Sequence, residues 1–175
     1  MAETPLKFLI DADHGQFYVQ DLEPYDAWMA EHATDPDLPP AGWTEEAVQV
    51  HRIGVEPHSI SVGTARDDMV ESQITVHASA PMTEPTAEHI VEADLDAPTG
   101  QLALSSPGVL PEDGPSMTVP CGLLRVRVSY IPSEPPVVDT NGGPGDHFLY
   151  RIDVWPTDQA RQLAILKQGP NPWAG

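Results

Sequence analysis

Apolar and polar positions alternate most clearly in the last third of the chain. Leu124, Val126, Val128 and Tyr130 fall on one side of an extended segment, and Arg125, Arg127 and Ser129 on the other, because successive strand side chains point to opposite faces. Phe148, Tyr150, Ile152 and Val154 repeat the inward set, with Arg151 and Asp153 outward. The stretch 132–145 between them is rich in proline and glycine and propagates neither strand nor helix. The pattern predicts two antiparallel strands joined by a long loop.

Shorter strands are expected at 6–10, 16–20, 59–64, 71–78, 87–95 and 101–105. In the fourth of these, 72, 74, 76 and 78 share the core face; in the fifth, Val91, Ala93 and Leu95 point inward, although Ile90 breaks the alternation. Residues 21–41 are acidic and contain prolines, and are expected to form a loop pinned by Tyr25 and Trp28. For 44–54 the pattern allows a helix capped by Thr44 or a strand, and 157–167 is equally open. Twenty prolines and thirteen glycines break the chain into short apolar runs, which suits an all-β domain better than a helical one. The expected fold is a β-sandwich or jelly roll of about eight or nine short antiparallel strands with one or two short helices. One domain is expected over 1–167, followed by a flexible tail at 168–175.

Charge narrows the function classes. Eight Lys and Arg face 27 Asp and Glu, for a formal charge of −19. Such a chain repels nucleic-acid backbones and anionic membrane surfaces and is complementary to a basic protein. The best candidates for contact with such a partner are Asp21, Glu23, Asp26, Glu31, Asp35 and Asp37, six carboxylates in one stretch between expected strands. Three of the few cations, Arg125, Arg127 and Arg151, share the outer face of the late strand pair. They form either cross-strand pairs with Asp153 and other acids or a small patch that meets an anion or a partner. The single cysteine, Cys121, excludes an intrachain disulfide and a thiolate metal cluster. Neither a signal peptide nor a run of the ~20 apolar residues that span a bilayer is apparent, so a cytoplasmic location is expected.

Candidate catalytic chemistry is sparse. His14 with Asp11 and Asp13, and His147 with Asp146, have the ligand types of a zinc or non-haem iron centre. An alternative reading is therefore a metal-dependent jelly-roll enzyme built on His14 and His147, but the same Asp-His pairs suit turn hydrogen bonds. The preferred reading assigns no catalytic residue, metal or cofactor. A second alternative is a small-molecule site lined by Trp43, Tyr150 and Trp155. No phosphate-binding glycine loop, nucleophile elbow or basic-aromatic stripe is present.

Four short segments, His14-Gly15-Gln16-Phe17 and the residues to 21, Trp43-Thr44-Glu45-Glu46-Ala47-Val48, 118–123 and 146–154, resemble in this order the competence protein J family of nuclease inhibitors. The run His14-Gly15-Gln16-Phe17-Tyr18-Val19-Gln20-Asp21 is similar to its opening strand, and Trp43-Thr44-Glu45-Glu46-Ala47-Val48 to its Trp-Thr-Asp-Glu-Ala-Ile segment. Thr118-Val119-Pro120-Cys121-Gly122-Leu123 resembles the lead into its late strand, with Cys121 where the family often has a basic residue, and the segment 146–154 resembles its closing strand. The loops at 21–41 and 132–145 are longer than the family's. The resemblance implies a β-sandwich that inhibits a partner and catalyses nothing. It carries over no contact residues. Together with the charge it gives the expectation of an acidic, non-enzymatic protein-binding domain, an inhibitor of a basic nuclease or an immunity-like protein.

Overall fold

The computed structural model describes residues 4–134 and 147–171. Its strands are β1 (Leu6–Asp11), β2 (Gln16–Gln20), β3 (Ile53–Glu56), β4 (Ser59–Gly63), β5 (Met69–Val76), β6 (His89–Ala97), β7 (Gln101–Ser105), β8 (Ser116–Thr118), β9 (Gly122–Pro132), β10 (Phe148–Pro156) and β11 (Ala164–Lys167). One α-helix, α1 (Leu22–His32), interrupts them. The larger sheet has the order β1-β5-β10-β9-β6-β11 and the smaller β3-β4-β2-β7-β8.

The late strand pair sits at the centre of the larger sheet, with the face that its periodicity marks as apolar turned to the core. Val126 faces Val154, Val128 faces Ile152 and Tyr130 faces Tyr150 in an antiparallel ladder. These side chains meet Phe17, Val19, Ile60, Val62, Leu102 and Leu104 of the smaller sheet in one hydrophobic core. Phe17 packs edge-on against Tyr150 at 6.0 Å between ring centroids, which joins the two sheets directly.

Several expectations are corrected. Among the described residues eleven strands replace eight or nine, and they are not all antiparallel, because β10 runs parallel to β5. The stretch 21–41 contains α1 rather than loop alone. Pro24 is tolerated there because it lies in the first turn, where its missing N–H has no intrahelical partner to lose. Residues 44–54 combine both options: Thr44 Oγ1 accepts from Ala47 N at 3.0 Å and starts a wide helical turn, which Arg52 ends in a left-handed conformation before β3 begins. This change of direction needs a close backbone approach. A Cβ on Gly54 would stand 2.3 Å from the Ala41 carbonyl oxygen, and one on Gly42, at φ +75°, 2.6 Å from Val55 N. Residues 157–163 form irregular chain and only 164–167 a strand. Beyond it, Gly169 accepts from Arg52 at 2.5 Å and donates to His89 Nδ1 at 3.3 Å. Among the described residues no helix is long and apolar enough to cross a membrane.

Candidate functional site

α1 packs beside β7 on the outward face of the smaller sheet and reaches Glu56 of β3. Asp21 has the residue type of a helix N-cap, yet its carboxylate makes no capping bond to α1. It is 1% exposed and accepts from Thr99 N at 2.8 Å and Thr99 Oγ1 at 2.6 Å. Asp21 N donates to His58 O at 3.0 Å. The helix start is thereby fixed to the β6–β7 and β3–β4 turns. One turn on, the Tyr25 hydroxyl donates to Glu56 Oε1 at 3.1 Å, and Trp28 stacks with both Tyr25 and His32. Burial raises the Glu56 carboxyl above the usual carboxylate range, and burial together with the Glu56 charge raises the Tyr25 and Tyr18 phenols.

No residue of α1 is buried. Glu23, Asp26 and Glu31 project to solvent from the helix, and Asp35 and Asp37 from the turn after it, where Asp35 Oδ1 accepts from Asp37 N at 2.9 Å. Of the six carboxylates singled out in the sequence, five are exposed and the first is an internal clamp. Glu23 and Asp26 flank a groove of about 500 Å3 between α1 and β7–β8, lined also by Thr99, Gln101, Ala103 and Ser116. The sequence offered no signal for the β7–β8 wall, whose residues lie far from α1 along the chain.

The three outer-face arginines are placed differently from an open anion patch. Glu92 bridges Arg127 Nε at 2.8 Å and Arg125 Nε at 3.2 Å, and Arg125 also reaches Asp94 at 2.9 Å. Arg125 donates further to the Gln162 carbonyl and Arg127 to that of Pro81. Arg127 also lies 5.1 Å from the Trp155 ring centroid. Arg151 lies across from Ser129 and pairs with Asp153 at 3.1 Å and Glu84 at 3.5 Å. His77 completes this side, 2.7 Å from Asp153 Oδ1. The segments that carry Pro81 and Gln162 cover the outer face here, so Arg125 and Arg127 are 2% and 5% exposed. Cross-strand pairing with acids is what the geometry shows.

The residues of the two alternative sites do not come together. His14 is 73% exposed in a left-handed turn beside Asp13. His147 is nearly buried against Arg66, at 2.8 Å, and its neighbour Asp146 lies outside the described residues. Among the described residues no group of three or more His, Cys, Asp and Glu side chains is placed to share a metal ion. Tyr150 belongs to the core, Trp155 to the covered outer face and Trp43 to a cleft of about 210 Å3, where its indole donates to Gln16 Oε1 at 2.7 Å.

No protein-family model matches this sequence, and no curated protein does. Two solved structures match its fold. One is ComJ, the inhibitor of the DNA degrading activity of NucA, from Bacillus subtilis, with a TM-score of 0.61 over 90% of this chain and 98% of that one at 16% identity. The other is crocagin biosynthetic gene J, with a TM-score of 0.60 over 89% and 99% at 16% identity. The chain therefore has the fold of competence protein J, the family its His14 and Trp43 segments resemble.

Proposed function

We propose that this protein catalyses no reaction and binds a basic protein partner through the exposed carboxylates of α1 and the turn after it, and that the partner is a nuclease. The observation that carries this reading is the one-sided charge of that face. Glu23, Asp26, Glu31, Asp35 and Asp37 are exposed within a stretch, 21–46, that contains no Lys or Arg. Four of the eight basic residues, Arg52, Arg66, Arg125 and Arg127, are buried, which leaves few cations to offset the surface acids. A nucleic-acid-binding cleft presents the complementary sign. The fold shared with an inhibitor of a nuclease supports that partner class. The scaffold reads as a β-sandwich, and a rigid sandwich that carries a helix clamped at its start and at Tyr25 suits presentation of a binding face.

The test is binding kinetics against a basic DNase at two salt concentrations, alongside its DNA-degrading activity. Replacing Glu23, Asp26, Glu31 and Asp37 by their amides should slow association about tenfold at low salt and flatten its salt dependence, with a smaller change in dissociation. Equal association rates for the two proteins would remove the basis of the proposal.

A further inference from the structure

We propose that the groove between α1 and the β7–β8 end of the smaller sheet receives an extended segment of the partner that alternates cationic and small apolar side chains. The inference rests on the reading of α1 as a face for a basic protein and names the part of the partner that it grips.

The groove is built rather than incidental. Its volume is about 500 Å3 and it is open to solvent. Its floor is the outer face of β7 and β8, where Gln101 stands opposite Thr118 and Ala103 opposite Ser116. The Ala103 and Ser116 side chains are short and leave room for another chain beside the Gln101–Thr118 pair, in which Gln101 Nε2 donates to Thr118 Oγ1 at 3.1 Å. β8 is the terminal strand of its sheet, so no further strand closes the groove on that side. The opposite wall is α1, which contributes Leu22, Glu23 and Asp26. Asp21 holds wall and floor at a fixed separation by accepting both the backbone N–H and the hydroxyl of Thr99. A preformed separation lowers the ordering cost of binding.

Charge selects the occupant. The carboxylates of Glu23 and Asp26 are exposed at the rim, and no Lys or Arg lines the groove. An extended segment points alternate side chains to opposite sides. Small apolar residues can rest on the Ala103–Ser116 row while lysines or arginines reach the two acids.

The probe is a capped hexapeptide of alternating lysine and valine, titrated into the isotope-labelled full chain and followed by amide chemical shifts. The expected shifts cluster at Asp21 to Asp26, Thr99 to Ala103 and Ser116 to Thr118. Ser116→Trp, which fills the groove from an exposed position, and Gln101→Arg, which adds a repelling cation at its floor, should each weaken binding at least about tenfold, roughly 1.4 kcal/mol, while amides remote from the groove keep their positions. Shifts centred on Glu31 to Asp37, shifts spread evenly over the acidic surface, or undiminished binding by both variants would overturn the groove. Failure here is separable from failure of the function. If Ser116→Trp leaves DNase binding intact but amide replacement of the four acids slows association, the groove is wrong and the acidic face stands. If neither change affects DNase binding, the acidic face fails with it.

Discussion

Glu92 is the residue on which the outer face of the larger sheet depends. It accepts from two arginines at once, Arg127 at 2.8 Å and Arg125 at 3.2 Å, and all three side chains are buried. Glu92→Leu would leave both guanidinium groups without their shared counter-charge. Arg125 retains Asp94 and two backbone carbonyls, but Arg127 keeps only the Pro81 carbonyl and the Trp155 ring among the described residues. Removing one partner of a buried ion pair costs about 3–5 kcal/mol, whereas replacing the pair by apolar residues of similar volume is often neutral. The single substitution should therefore remove about a third of a typical domain stability of about 5–15 kcal/mol. The double variant Glu92→Leu with Arg127→Met should recover about 2 kcal/mol of that loss, a coupling within the usual range for contacting residues. Urea unfolding followed by tryptophan fluorescence reads both variants, with Trp155 beside the altered site. A single-variant loss under about 1 kcal/mol, or strict additivity in the double variant, would refute the ion-pair account.

Two further predictions concern stability. His89 is fully buried, with Nε2 donating to the His51 carbonyl at 2.9 Å, and burial lowers its pKa from 6.5 to about 4. Its folded form refuses a proton that the unfolded chain accepts, so stability is unaffected above the unfolded pKa and is lost as pH falls from about 6.5 towards 4. Between about pH 7 and pH 5 the wild type should lose about 2 kcal/mol more than His89→Gln in urea titrations, and parallel pH profiles for the two would contradict the assignment. Gly54→Ala should lower stability by about 1–3 kcal/mol in thermal unfolding, because its Cβ would meet the Ala41 carbonyl oxygen at 2.3 Å; an unchanged melting temperature would show that the two segments separate freely.

Period-two alternation determined which residues of β9 and β10 face the core. A one-residue slip would place Arg125, Arg127 and Asp153 among Phe17, Ile60 and Leu104, and the desolvation cost forbids it. Most strand positions follow from the same signal. α1 was hidden because its apolar residues, Leu22, Tyr25, Trp28 and Met29, only half-bury themselves and are interspersed with acids and a proline. Strand order was not legible at all: the parallel pairing of β10 with β5 and the approach of Thr99 and Ser116 to α1 join segments far apart along the chain. The same holds for the charges. Composition establishes that the molecule is acidic, and alternation places Arg125, Arg127 and Arg151 on one outer face. Only the tertiary structure, by setting Glu92 beside Arg125 and Arg127 and laying the Pro81 and Gln162 segments over them, makes those two internal partners, pairs Arg151 with Asp153 and Glu84, and leaves Glu23 and Asp26 at the rim of an open groove. Side-chain alternation is set locally by the backbone of each strand, whereas burial and charge pairing depend on which distant segments pack across it.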